Sequence, residues 1–367
     1  MTKSLIVLTA LLELAALQPS APSDRMRAIH ERFVFADVHA HPSRFHRSEV
    51  PQIEREEIAR YKRGLIDLVV ACVSSDAAAQ GGYTRADGTS VPRLRGNDVY
   101  PLKPGEAFAF TLERFDRIMK TVRAGDAVHA ASPEAVVEAR RRGAVALLPA
   151  LEGADGLEGK LDNLRELHRR GLRLVQLLHF VDNDLGSNQI PPHDGRGLTG
   201  FGREVVREAN RLGIIVDLAH ANTRTIMDAL AVSSQPIIFS HTGAKALYDG
   251  DRYLTDDEIR AIGAKGGLIG IWPTAALKTI AEMVGHIDHV KKLVGIDHIA
   301  IGSDLRGMEY IEAFGEEANF SVIVQGLADA GYRDEEIGKV MGGNFFRLWE
   351  QVARGARPAE SAHPMQP

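Results

Sequence analysis

Between Phe33 and about Asp304, short apolar runs alternate with amphipathic helical patterns, and this alternation restricts the fold more than any other feature of the chain. Eight runs can be counted: RFVFADVHAH, IDLVVACVSS, AVALLPALEG, LRLVQLLHF, LGIIVDLAH, QPIIFSH, GGLIGIW and DHIAIGSD. Between them lie segments with helical spacing, among them QIEREEIARYKRG, KLDNLRELHRRG, FGREVVREANRLG, TRTIMDALAVS, TDDEIRAIGAKG and EMVGHIDHVKKLVG. Several end in a glycine, which terminates helices because it adopts left-handed backbone angles without a Cβ clash. Thr255 and Glu258 have the spacing of a capping box. Runs that are apolar throughout suit strands covered on both faces, so the pattern predicts an α/β protein, a (β/α)8 barrel of the TIM type. Periodicity alone does not separate a short buried strand from a buried helix segment, so the strand count is left for the structure to decide.

The expected organisation is one catalytic barrel over 24–355, with an insert over 76–131 after the second strand and helices after residue 304. Residues 1–23 read as a candidate leader: Lys3, a short apolar run to Leu12, Glu13, then a Pro/Ser patch. The run is too short to span a bilayer, so no stable membrane span is expected. A working leader would place the protein in the periplasm or cell envelope; otherwise it is expected in the cytoplasm. The tail over 356–367 is polar and has no apolar stretch of the kind a lipid-anchor signal needs. At 44% apolar and 25% charged residues the composition is that of a globular protein. A net charge of −5 with dispersed Lys and Arg supplies no basic field, so no nucleic-acid partner is expected. Cys72 is the single cysteine, which excludes an intrachain disulfide and leaves His, Asp and Glu to build any metal site.

Polar residues of the metal-binding and acid/base types close one apolar run after another: His39 and His41, Glu152, His179, His220, His241 and Asp304. In a (β/α)8 barrel the active site lies at the carboxyl ends of the strands. One such histidine is ordinarily a hydrogen-bonded structural residue; six strands ending this way point to a site. In FADVHAHP, alternate residues of a strand share a face, so His39 and His41 point into one space. Four imidazoles and one carboxylate suffice for two metal ions if Glu152 bridges them and each ion keeps an open position. Water between two cations has its pKa lowered towards neutrality, giving a bridged hydroxide, and Asp304 would orient it and carry its proton to the leaving group. These residues predict metal-assisted hydrolysis. His286 and His289, three apart on a helix before the last strand, are read as exterior residues, and His193 as a loop residue.

At these residues the chain resembles the membrane (renal) dipeptidase family of metallopeptidases, from about Asp24 to Val352. The matching segments are DVHAHP, LEGADGL, GLRLVQLLHF, GLTGFGREVVREANRLGIIVDLAH, PIIFSHTGAKAL, HIDHVKKLVGIDHIAIGSD and NFFRLWEQV. The resemblance implies a metallo-dependent hydrolase barrel holding two divalent metal ions, zinc being the expected metal. It implies hydrolysis of dipeptides with a free C-terminal carboxylate, including those with a C-terminal D-residue. Carried over by position, His39 and His41 would bind the first ion, Glu152 would bridge, and His220 and His241 would bind the second. His179 matches the histidine that stabilises the oxyanion and contacts substrate, Arg252 the arginine that clamps the substrate carboxylate, and Asp304 the acid/base aspartate. A bidentate guanidinium suits the clamp. A homodimer is also implied.

One departure changes the electrostatics. The family's first motif is His-x-Asp, whereas position 41 is His here, which leaves the two-metal site one unit more positive. Leu305 and Arg306 stand where Phe and Asp are common, which predicts an altered pocket wall beside Asp304. The competing expectation is an amidohydrolase-type amide or lactone hydrolase with a non-dipeptide substrate, since the same site would attack any activated carbonyl. A metal-binding protein without catalysis would lack Asp304 or His179, and both are present.

Overall fold

The eight apolar runs each supply one strand of a single parallel sheet, and a short ninth strand, Val128–His129, pairs parallel with the start of the third of them. The strands are β1 (Ala36–Ala40), β2 (Leu68–Ser74), β3 (Ala146–Glu152), β4 (Leu174–Gln176), β5 (Ile215–Asp217), β6 (Ile238–Thr242), β7 (Leu268–Ile271) and β8 (Ile299–Ile301). They pair in sequence order, all parallel, from β1 to β8. The last strand returns to the first through a parallel bridge between Ala40 and Leu305, so the sheet curls into a nearly closed barrel. The computed structural model describes residues 21–45, 48–85, 87–93, 99–308 and 311–357. The candidate leader lies almost wholly in 1–20 and the polar tail mostly in 358–367, outside the described residues.

Every residue of β2 and β3 is buried, as an unbroken apolar run requires when helices cover the outer face. One cluster of the core collects alternate strand residues, including Leu68, Val70, Leu148, Leu174, Ile215, Ile238 and Leu268, with Phe345, Leu348 and Trp349 of the last helix, Asn344–Gly355. Most of these are first residues of their strands, so this helix packs where the strands begin and leaves their carboxyl ends to the site. At roughly 25 cal/mol per Å² of apolar surface, burial of the apolar side chains of the strands and of the helices that cover them is the main force holding the barrel.

The crossover helices follow the expected pattern: Arg55–Arg63, Leu161–Arg169, Gly200–Leu212, Thr223–Val232, Asp256–Ala264 and Ile280–Val294. Gly213, at φ 72, ends one of them. The capping box is formed: Glu258 N donates to Thr255 Oγ1 at 3.3 Å, and Thr255 N donates to Glu258 Oε2 at 2.7 Å. The stretch after β2 holds a short hairpin, Tyr83–Thr84 with Ser90–Val91, and the long helix Glu106–Arg123. Among the described residues, no helix is long and apolar enough to cross a membrane.

Candidate metal centre

Six of the strand ends deliver polar side chains to one buried cluster. His39 lies on β1 and His41 just beyond it, Glu152 ends β3, and His241 lies in β6. His179, His220 and Asp304 lie three residues past β4, β5 and β8. All seven are buried. His220 and Asp304 hold φ of 68° and 52°, a strained region for residues with a Cβ that persists where surrounding contacts over-determine it.

Glu152 is the centre of the arrangement. Its Oε1 lies 3.2 Å from His39 Nε2, 3.7 Å from His220 Nε2 and 3.9 Å from His241 Nε2. Its Oε2 lies 3.2 Å from His41 Nε2 and 3.4 Å from His179 Nε2, and accepts from Ser74 Oγ at 2.6 Å. Among the described residues two groups can each hold a cation, His39 with His41 and Glu152, and His220 with His241 and Glu152. The carboxylate is common to both.

The donor chemistry fits divalent ions. His39 and His41 approach Nε2 to Nε2 at 3.3 Å, and His220 and His241 at 3.0 Å. Two nitrogens about 2.05 Å from a tetrahedral zinc would stand roughly 3.3 Å apart. Ser240 Oγ sits 3.1 Å from His39 Nδ1 and 2.9 Å from His241 Nδ1. A proton on each Nδ1, shared with that oxygen, leaves both Nε2 lone pairs facing inward. Burial, reinforced by Arg252 for His220 and by His39 for His241, keeps both imidazoles well below their ordinary pKa, and therefore neutral. Burial alone would push the Glu152 carboxyl up, but the imidazoles of His179, His41 and His39 outweigh it and hold the group ionised.

Asp304 Oδ1 lies 3.2 Å from His41 Nε2 and 3.9 Å from His39 Nε2, on the open side of the cluster. The cleft above is walled by Ala77, Gln80, Phe180, Gly307 and Met308. Gly307 is required there, since a Cβ would fall 2.1 Å from Asp304 Oδ1 and 2.6 Å from His41 Cδ2. Leu305 and Arg306 are not among the residues that line this cleft. Leu305 is fully buried, and Arg306 turns to Glu317, with its Nε 2.7 Å from Oε1.

Arg252 is not in direct contact with the cluster. Its guanidinium lies 5.3 Å from the centroid of the Trp272 ring, which stands 5.5 Å from that of His241. One terminal nitrogen, Nη1, donates to Gln189 Oε1; the other, Nη2, is buried without a hydrogen-bond partner. Burial lowers the guanidinium to about 10, so it remains a cation throughout the neutral range. The structure thus supplies an unsatisfied cationic donor one ring away from the candidate metals.

Sequence reasoning missed three residues at the end of β2, Ser74, Ser75 and Asp76. The same rule, polar groups at the carboxyl end of a barrel strand, would have found them in the run VSSD. It also placed His286 on the exterior, whereas this side chain is buried and its Nδ1 accepts from Ala244 N at 2.8 Å. His286 therefore supports the loop that follows His241, and His289 pairs with Asp256 at 2.7 Å. His193 is exposed.

Comparison with known families matches residues 23–363 to the model described as Membrane dipeptidase (Peptidase family M19). Among curated proteins, Dipeptidase tcpJ of Claviceps purpurea (strain 20.1) is 34% identical over 223 residues, 58% of this chain and 52% of that protein. The chain spans about half the length of this relative. Among solved structures, the probable dipeptidase PvdM from Pseudomonas aeruginosa superposes with a TM-score of 0.74 at 21% identity, covering 90% of this chain and 98% of that one. A metallo peptidase from Rhodobacter sphaeroides, liganded with a phosphinate mimic of the dipeptide L-Ala-D-Ala, gives a TM-score of 0.74 at 20% identity, covering 87% and 99%. At these identities the likeness speaks for the fold.

Proposed function

This chain belongs to the membrane dipeptidase family, and on that premise we propose that it is a metal-dependent dipeptidase acting on small peptides with a free C-terminal carboxylate. The observation that carries the reading is Glu152, shared by two histidine pairs at the open end of the barrel. His39, His41 and Glu152 would hold one ion and Glu152, His220 and His241 the other, with zinc as the metal. When bound, the two cations would polarise the scissile carbonyl and bring the pKa of a water between them towards neutrality.

The protein's own groups then have distinct work. Arg252 Nη2 offers an unpaired charged donor to the substrate carboxylate, and the Trp272 face steadies the guanidinium. His179, beside Glu152 Oε2, would donate where negative charge develops on the former carbonyl oxygen. Asp304, at the mouth of the cluster, would take a proton from the attacking water and deliver it to the leaving amine. Phe180 and Met308, 42% and 43% exposed, would cover the substrate from solvent.

The test is a substrate panel on metal-loaded protein: L,L- and L,D-dipeptides, dipeptide amides, simple amides and lactones, each with wild type and Arg252→Gln. The reading expects hydrolysis of free dipeptides, little turnover of their C-terminal amides, and a KM raised by ten-fold or more in the variant with a smaller change in kcat. Equal turnover of amidated and free peptides, or preference for lactones, would replace it with the amidohydrolase-type alternative.

A further inference from the structure

The Ser74-Ser75-Asp76 tripeptide sends all three of its side chains to neighbouring strand ends. Ser74 Oγ donates to Glu152 Oε2 at 2.6 Å. Ser75 Oγ donates to the carbonyl of Gly153 and accepts from Gly156 N at 3.1 Å, fixing the turn after Glu152. Asp76 reaches β4: its Oδ1 accepts from His179 Nδ1 at 2.7 Å and its Oδ2 from Phe180 N at 3.2 Å. Asp76 is 1% exposed, and both of its oxygens are in use.

We propose that Asp76 is a positioning residue for hydrolysis: by holding His179 Nδ1 and the Phe180 amide with one carboxylate, it aims His179 Nε2 at the reacting carbonyl. This inference rests on the dipeptidase reading above. Its physical basis is the two-point grip. An imidazole on a loop three residues past its strand is free to rotate about χ1 and χ2, and a bond at Nδ1 removes the χ2 freedom. The second bond ties the following backbone amide to the same carboxylate, so ring and main chain move together. The anchor stands two residues past β2, an entirely buried strand, so the ring is referenced to a neighbouring strand end and not to its own loop. The bond at Nδ1 occupies that nitrogen as a donor and turns the opposite edge of the ring, Nε2, towards Glu152 and the cleft; with a proton on both nitrogens the ring donates at Nε2 while Asp76 holds Nδ1.

The experiment uses metal-loaded full-length protein and compares wild type, Asp76→Asn, His179→Ala and the double variant. The Asp76→Asn change keeps the shape of the side chain but replaces an acceptor with a donor, so the amide cannot serve both N–H groups. The expected result is unchanged metal content and a melting temperature near that of wild type. It also includes a kcat for a dipeptide lowered about 10- to 100-fold, a KM within about 3-fold, and a double variant no slower than His179→Ala alone. A kcat within about 3-fold of wild type, loss of metal, or effects that multiply in the double variant would overturn it. A two-bond 1H–15N spectrum of the histidine rings gives a readout independent of substrate: the protonated Nδ1 signal of His179 should weaken or shift in Asp76→Asn. If wild type cleaves no dipeptide, the functional reading fails by itself, and an unchanged His179 signal in the variant would still sink the positioning role.

Discussion

The amide of Asp304 donates to the carbonyl of His39 at 2.8 Å, and the amide of His41 donates to the carbonyl of Leu305 at the same distance. These two bonds close the barrel between its last strand and its first, so two candidate ligands and the candidate proton carrier hang on one seam. The backbone there is strained, with Asp304 at φ 52° and Arg306 at φ 69°, in a region that costs on the order of 1–3 kcal/mol per residue. An ionic cluster opposes that strain. Glu317, fully buried, accepts from Arg306 at 2.7 and 3.1 Å and from Arg60 at 2.6 Å.

Removing the carboxylate of Glu317 takes away the acceptor that two part-buried guanidiniums, Arg60 and Arg306, share. Glu317→Ala should therefore destabilise the protein by about 3 kcal/mol, with Glu317→Gln costing less because it keeps one acceptor. Denaturant melts of both variants check this. An alanine variant within about 0.5 kcal/mol of wild type would mean the cluster does not restrain the seam.

Gly307→Ala should disable the centre while sparing the fold. Its Cβ would stand 2.1 Å from Asp304 Oδ1 and 2.6 Å from His41 Cδ2, so one of these side chains must move. Weaker binding of the ion between His39 and His41 is expected, with activity down about ten-fold or more and a circular dichroism spectrum like that of wild type. Elemental analysis together with rates decides it; full metal content and full activity would show that Asp304 yields freely.

Metal loading should release a proton. Without an ion, burial disfavours charge on His41, but Glu152 and Asp304 outweigh it and raise the imidazole to about 10. The apo centre is therefore held by an imidazolium among carboxylates, and that proton must leave before Nε2 can bind a cation. Uptake of about one proton equivalent by a weak buffer, and an apparent affinity that rises with pH below about 10, are expected. Titration of apo protein with Zn2+ at several pH values measures both, and a pH-independent affinity between pH 6 and 8 would contradict the charge assignment.

His286 should contribute an acid limit to stability. Burial, with help from His289, depresses it from an ordinary 6.5 to about 4, and its Nδ1 is occupied by the Ala244 amide. Between those two values the unfolded chain binds the proton and the folded chain does not. The contribution is therefore complete above about pH 6.5 and is lost as pH falls towards 4, reaching about 3 kcal/mol. His286→Asn, which keeps an acceptor but does not titrate, should flatten this part of the stability curve; parallel curves for the two proteins would remove His286 from the account.

Much of this molecule is local in origin, and the chain alone determined it. Strand and helix identity followed from neighbouring residues, since an unbroken apolar run such as LVVACVS and a helical pattern such as FGREVVREANRLG carry their periods within a few turns. The barrel order then followed from the short connections and parallel crossovers. The residue types that close the runs, from His39 to Asp304, could be read for the same reason. The pairing of His39 with His41 and of His220 with His241 around Glu152 was legible too, from strand alternation and from the family resemblance. Only the tertiary structure decided the grip of Asp76 on His179, the turn of Arg306 towards Glu317 and the burial of His286, which depend on how separate segments pack. Side-chain periodicity says which face a residue takes, whereas the rotation and height of one strand end against the next is set by packing of the closed barrel as a whole.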